Sequence, residues 1–99
     1  MEDFKNRLGR STWNFLHVLA NGYPNVPTKR DKLLMRNFLD TLTEIYPCKL
    51  CAVHMKSMFA KNPYKMNTRN EFKMYLCKIH NIVNKRLGKD IYECKIDNL

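Results

Sequence analysis

The sequence predicts an all-α chain, an antiparallel four-helix bundle with a short fifth helix, forming a single domain over residues 1–99. Three observations carry this. Apolar residues return at helical spacing in four segments, strand signals are almost absent, and the connections between segments are short. With 44% apolar and 27% charged residues, the 99-residue chain has the composition of a soluble globular protein with one modest core.

The first helix is expected from about Leu8 to Asn21, where Trp13, Leu16, Leu19 and Ala20 recur at helical spacing. Gly22-Tyr23-Pro24-Asn25-Val26-Pro27 then breaks the chain into a loop. Thr28 is an N-cap candidate for the second helix, with Asp31 placed favourably for the dipole. Leu34, Phe38, Leu42 and Ile45 give that helix an apolar stripe running up to Tyr46-Pro47. The third helix begins at Cys48-Lys49-Leu50-Cys51 and carries Ala52, Met55 and Phe59 on one side; Lys61 to Asn67 forms a polar connection. Thr68-Arg69-Asn70-Glu71 is a capping box that opens a long fourth helix marked by Phe72, Leu76, Ile79, Val83 and Leu87. Gly88 closes it at a C′ position, and a short fifth helix is expected after Tyr92.

The net charge of +9 invites a nucleic-acid reading, but the cations are spread along the chain with no block of five or six. A dispersed basic surface fits the phosphates of a nucleotide cofactor or acidic partners equally well. No apolar run approaches the roughly 20 residues that span a bilayer. Met1-Glu2-Asp3-Phe4-Lys5 resembles neither a signal peptide nor an acid-poor transit peptide; if the chain is a domain trimmed from a longer one, any targeting segment is expected outside it.

Tyr46-Pro47-Cys48-Lys49-Leu50-Cys51-Ala52-Val53-His54 places a CxxC at a helix start. Proline suits the junction because its fixed φ fits helix entry and its missing N–H has no partner to lose there. Unpaired N–H groups and the positive dipole end stabilise a thiolate, the reactive form of cysteine. Four cysteines allow three disulfide connectivities. Cys48 and Cys51 are close enough to pair locally; a bridge between the remaining Cys77 and Cys94 would close a loop across Gly88, worth roughly 3 kcal/mol in the chain-entropy model. The division suggests a redox-active pair and a structural pair in a compartment that tolerates disulfides.

Arg10, Trp13 and His17 fall at i, i+3 and i+7 and share one face of the first helix. Cys77, His80 and Asn84 repeat the spacing on the fourth, with Asn81, Lys85 and Lys89 beside them. On the first helix, Trp13 as a core residue with Arg10 and His17 on the surface is the alternative reading. On the fourth, a core stripe would be aliphatic at these positions, so the pattern points to a buried polar ligand, with a solvated face as the alternative. The competing chemistry is zinc: Cys48, Cys51, Cys77 and His80 could supply four tetrahedral ligands in a non-catalytic, zinc-stabilised helical binding module. That arrangement leaves Cys94 unpaired and gives the Arg10, Trp13, His17 face no role. A thioredoxin-like site needs a βαβ context, and a Rossmann site a glycine-rich loop after a strand; the chain offers neither.

Gly9-Arg10-Ser11-Thr12-Trp13-Asn14-Phe15-Leu16-His17, Tyr23-Pro24, Tyr46-Pro47-Cys48-Lys49-Leu50-Cys51-Ala52 and the segment from Cys77-Lys78-Ile79-His80 to Lys89 together resemble the Erv/ALR flavin-linked sulfhydryl oxidases, in order and at the right spacing over nearly the whole chain. The resemblance implies FAD held non-covalently at the mouth of the bundle, beside the CxxC disulfide, and no metal. Cys48 and Cys51 would be catalytic, and Cys77–Cys94 the structural disulfide. Gly9, Arg10, Trp13, His17, Tyr46, Cys51, Cys77, His80, Asn81, Val83, Asn84, Lys85 and Lys89 would form the cofactor site. Trp13 offers a ring for stacking, and Lys85 and Lys89 the charge a pyrophosphate requires.

By the same resemblance, a substrate thiolate attacks Cys48, taken as the more exposed sulfur, and releases Cys51, which lies toward the flavin. Electrons then pass to FAD and on to oxygen, giving hydrogen peroxide, or to another acceptor such as cytochrome c. The implied partners are thiol-bearing proteins or a disulfide carrier, together with a second copy of the chain docked through the first two helices; nucleic acid and membrane are not among them. A mitochondrial intermembrane-space location follows from family habit, with secretory or viral settings as alternatives. Three departures accompany the match. The shuttle cysteine pair usual in the family is not in these residues, nor is the Trp-containing segment with which several relatives continue. Phe59 occupies the region where some relatives link the third and fourth helices by a disulfide.

Overall fold

The computed structural model describes residues 3–96, in the order α1 (Phe4–Asn21), α2 (Lys29–Ile45), α3 (Lys49–Lys61) and α4 (Arg69–Arg86). Helix α1 starts a turn earlier than its apolar spacing predicts. The Asp3 carboxylate accepts from the Asn6 backbone N–H at 2.9 Å and satisfies one orphan donor of the first turn. Thr28 and Asp31 form a reciprocal box at the start of α2: the Thr28 hydroxyl accepts from the Asp31 N–H (3.0 Å) and the Asp31 carboxylate from the Thr28 N–H (2.8 Å). Thr68 caps α4, accepting from the Glu71 N–H at 3.0 Å, but the return half of the predicted capping box is shifted by one residue: the Glu71 carboxylate accepts from the Asn67 N–H (3.2 Å) instead of the Thr68 N–H.

Helix α1 packs on α4, and α2 on α3. Both pairs are antiparallel, as the cross-contacts show. Tyr23, after the end of α1, meets Phe72 near the start of α4, whereas Trp13 meets His80 further along it. Asp40 accepts from the Tyr64 hydroxyl at 2.6 Å, while Glu44 pairs with Lys56. Leu16, Leu39, Phe72, Leu76 and Ile79 form the driest part of the core. Polar ties join the ends of the bundle: the Tyr23 hydroxyl donates to the Met66 carbonyl (2.8 Å), and Arg69 donates to the Tyr23 carbonyl (2.6 Å).

Two turns position the CxxC and the segment beyond α4. Tyr46 closes α2 in an extended conformation, as a residue before proline must, and turns the chain so that Cys48 becomes the N-cap of α3. At the end of α4, Gly88 takes φ 71°, and the Lys89 N–H reaches back to the Asn84 carbonyl (2.8 Å) while the Gly88 N–H bonds the Lys85 carbonyl (3.2 Å). This Schellman turn needs the left-handed glycine and reverses the chain beside α4. The Cys77–Cys94 disulfide (Cα–Cα 5.8 Å) then fastens the returning segment.

No helix forms over Tyr92–Lys95, where the expected fifth helix was to begin. Tyr92–Lys95 is non-helical because the Asn81 side chain takes both backbone polar groups of Tyr92, accepting from its N–H (2.9 Å) and donating to its carbonyl (2.8 Å). A turn of 3₁₀ type begins at Ile96; the remaining positions of the expected helix, 97–99, lie outside the described residues. Among the described residues no strand occurs, and no helix is long and apolar enough to cross a membrane.

Candidate functional site

Cys48 and Cys51 are joined in a disulfide on the first turn of α3, with Cα atoms 5.2 Å apart. The Cys51 N–H donates to the Cys48 sulfur at 3.3 Å, so the N-cap side chain is itself a sulfur. Cys51 opens on a cavity of about 890 Å³, near the upper end of the roughly 300–1,000 Å³ usual for ligand sites. Helix α1 supplies Gly9, Arg10, Trp13 and His17 to its wall, and α4 supplies His80, Val83 and Asn84. Tyr46 enters from the α2–α3 turn, held by a 2.8 Å hydrogen bond between its hydroxyl and Thr12.

The α1 and α4 walls meet in an aromatic group. Trp13 lies flat on His80, with centroids 4.2 Å apart and planes 5° apart, and His17 Nε2 is 3.0 Å from His80 Nδ1. One of these nitrogens must donate and the other accept, so the contact requires at least one neutral ring. Burial lowers the pKa of both imidazoles. His80 falls to about 4, through burial first and then the nearby positive charges of His17 and Lys89. Tyr92, carried in on the disulfide-fastened segment, closes the group at 5.4 Å from His80.

The cavity wall holds a donor that suits a polar ligand. Asn84 is 5% exposed, and its side-chain Nδ2 is buried with no hydrogen-bond partner among the described residues. Such a donor is costly to leave unmade, and an acceptor on a ligand would satisfy it. Gly9 lines the cavity, and a Cβ built there would meet nothing within 4 Å, so the missing side chain adds room without relieving a clash. Lys89 adds a cation to the wall and Trp13 a stacking face.

Of the residues predicted for the cofactor, Gly9, Arg10, Trp13, His17, Tyr46, Cys51, His80, Val83, Asn84 and Lys89 line this cavity. Cys77, Asn81 and Lys85 do not. Cys77 faces an adjoining cavity of about 420 Å³ that shares His17, His80 and Tyr92; Asn81 is engaged by Tyr92 and Cys94; Lys85 is exposed in the last turn of α4. The expected order of exposure in the CxxC is reversed. Cys48 is only 8% exposed because it is drawn into the core at the α2–α3 turn, whereas Cys51 is half-buried along the cavity wall. The thiols that a zinc centre would require are taken up in two disulfides, and the described residues hold no metal-type cluster of His, Cys, Asp and Glu.

Sequence reasoning missed His54, Met55, Met58 and Tyr92 as wall residues. The spacing of Cys51, His54, Met55 and Met58 at i, i+3, i+4 and i+7 was an available signal for one face of α3. For Tyr92 there was none, since its position depends on the Schellman turn and the disulfide.

This geometry has close parallels. The family described as Erv1 / Alr matches residues 10–99. The FAD-linked sulfhydryl oxidase ERV1 of Arabidopsis thaliana is 42% identical over 91 residues, covering 92% of this chain and 48% of that protein. The mitochondrial FAD-linked sulfhydryl oxidase ERV1 of Saccharomyces cerevisiae is 39% identical over 88 residues, covering 89% of this chain and 47% of that protein. The chain thus spans about half the length of these relatives. The crystal structure of the FAD-binding domain of Erv1 from Saccharomyces cerevisiae superposes with a TM-score of 0.89 at 36% identity, over 94% of this chain and 89% of that one. Helix order, the CxxC at the start of α3 and the matched residues agree in one conclusion: the chain belongs to the Erv1/Alr family.

Proposed function

We propose that the chain is an FAD-dependent thiol oxidase that forms disulfide bonds in protein substrates, with residues 1–99 acting as one Erv/ALR unit. The observation that carries the reading is a disulfide with one cysteine, Cys51, opening on a cavity of about 890 Å³ that contains an unpaired buried donor on Asn84. The residues there fit FAD: Trp13 and His80 for a flat ring, Asn84 for an acceptor, and Arg10 and Lys89 for phosphates. When bound, FAD supplies a two-electron acceptor that a dithiol can reduce.

The chain's own part is thiol–disulfide exchange. A substrate thiolate attacks the Cys48 sulfur, the Cys48–Cys51 bond breaks, and Cys51 leaves as a thiolate carrying the electron pair. A second substrate thiolate attacks the substrate sulfur of the mixed disulfide, so the substrate departs oxidised and the CxxC remains as a dithiol. Attack on Cys48 keeps its product at the N-cap, where the Cys51 N–H and the helix terminus favour a thiolate. Because Cys48 is buried, the Tyr46-Pro47 turn has to yield slightly for a substrate sulfur to approach. Cys77 and Cys94 hold Tyr92 and Lys89 near the cavity and stay out of the exchange.

Oxygen, giving hydrogen peroxide, or cytochrome c is the proposed final acceptor, and a thiol-bearing protein or a disulfide carrier the proposed donor. Exposed Phe15, Val18, Leu34 and Phe38 on α1 and α2 support a homodimer through that face. The yeast relative's name supports a mitochondrial setting, and the intermembrane space is the finer reading. Two measurements on purified protein test the function: the visible spectrum, and oxygen uptake with dithiothreitol. A yellow protein that consumes oxygen is expected; a colourless protein that takes up no FAD would refute the reading.

A further inference from the structure

His54 lies three residues after Cys51 on α3, is half-buried and lines the same cavity. Positions i and i+3 are neighbours on a helix surface, with Cβ atoms roughly 5–6 Å apart. Thiol and imidazole therefore occupy one edge of the cavity. The two cysteines differ in what stabilises their charge. Cys48 is the N-cap, and its sulfur accepts from the Cys51 N–H at the positive end of the helix. Cys51 lies a turn further in, without that amide. Among the described residues, His54 is the one titratable side chain besides Cys51 that α3 contributes to the cavity. The other charged wall groups come from elsewhere: Asp3 before α1, Lys5 and Arg10 on α1, Arg86 on α4 and Lys89 beyond it, with His17 and His80 in the aromatic group.

We propose that His54 accepts the proton of the Cys51 thiol once the CxxC is reduced, an inference that rests on the thiol-oxidase reading. The Cys51 S–H bond breaks, an N–H bond forms on the imidazole, and the electron pair stays on sulfur. No oxidant or reductant enters this step. The imidazolium then lies beside the thiolate and favours its charged form, the form that can release electrons. An imidazole suits the task because a ring nitrogen of its neutral form accepts a proton. In a later exchange the imidazolium gives its proton to the Cys51 thiolate as substrate expels it, which supplies the thiol that His54 deprotonates once the CxxC is reduced. Cys48 and Cys51 are thus held reactive by separate devices, a helix terminus for one and a side chain for the other.

The test uses the full chain as purified, in a Cys48→Ser background that leaves Cys51 a free thiol and the Cys77–Cys94 disulfide intact. The rate of Cys51 alkylation by iodoacetamide is followed against pH, with and without His54→Gln. The expected result is a midpoint raised by about one pH unit and reactivity near neutral pH reduced about tenfold, one pH unit being a factor of ten in thiolate. His54→Asn, checked for unchanged helicity by circular dichroism, serves as the second variant should the first fail to fold. Superimposable pH profiles in parent and folded variant would overturn the assignment. Flavin absorbance of the wild-type protein is read alongside. Its absence would overturn the oxidase reading, while the Cys51 profile would still report on His54.

Discussion

Asn84→Leu is expected to move stability and FAD affinity in opposite directions. The side-chain Nδ2 of Asn84 is buried and without a partner among the described residues, and the residue is 5% exposed. Its backbone carbonyl, which accepts from the Lys89 N–H at 2.8 Å, is untouched by the change. A buried donor left unsatisfied costs about 1–3 kcal/mol, and replacing it by an apolar group of similar shape recovers part of that. We expect the FAD-stripped variant to gain about 1 kcal/mol, a rise in Tm of roughly 4–8 °C for a domain of this size. Under the proposed function, the same replacement removes a donor that FAD would use. A net hydrogen bond of about 0.5–1.5 kcal/mol corresponds to roughly a two- to twelvefold weaker FAD affinity. Thermal unfolding of stripped protein and FAD titration by flavin fluorescence read the two effects separately. A destabilised stripped protein with unchanged FAD affinity would refute the reasoning, since Asn84 would then be an ordinary core residue.

Three further outcomes are expected. Cys94→Ser opens the loop that fastens Tyr92 and should lower stability by roughly 3 kcal/mol, while the Cys48–Cys51 pair keeps its exchange with dithiothreitol; denaturant unfolding and a dithiothreitol oxidation assay measure these. Stability should fall as pH drops from 6.5 toward about 4, because the folded state holds His80 neutral where the unfolded chain is protonated; the folded state binds fewer protons, so ΔG of unfolding rises with pH across that window. Allowing for partial exposure the loss is about 1–2 kcal/mol, and His80→Gln should flatten the dependence in pH-resolved chemical denaturation. Phe38→Glu, placed against Phe15 on the exposed α1–α2 face (rings 6.0 Å apart), should shift sedimentation from dimer to monomer without loss of helicity.

The helices were legible in the sequence because their signals are local. Thr28 with Asp31, Thr68 with the Glu71 N–H, and Gly88 each act within a turn or two and form the predicted N-caps and turn, although the Glu71 carboxylate closes on Asn67 and not on Thr68. The α1 and α4 walls were legible for a related reason. His17, His80 and Asn84 interrupt apolar periodicity, and a polar face repeated on two helices converges when those helices pack. What the sequence hid depends on contacts between distant segments. The non-helical run after Tyr92 is set by Asn81 and by the Cys77–Cys94 bridge, and Asn81 consequently serves as a clamp away from the main cavity. The exposure of Cys48 and Cys51 followed core packing at the α2–α3 turn, which residue spacing does not encode. His54 was visible at helical spacing from Cys51, but a single histidine near a CxxC carries little information until the cavity beside it is known.

The central claim is that Cys51 delivers electrons from the CxxC to FAD bound between α1 and α4. Anaerobic addition of dithiothreitol to the purified yellow protein tests it most directly. Loss of the oxidised flavin band is expected in the wild type, with bleaching abolished or slowed by orders of magnitude in Cys51→Ser although FAD remains bound. Equal bleaching rates in the two proteins would contradict the account.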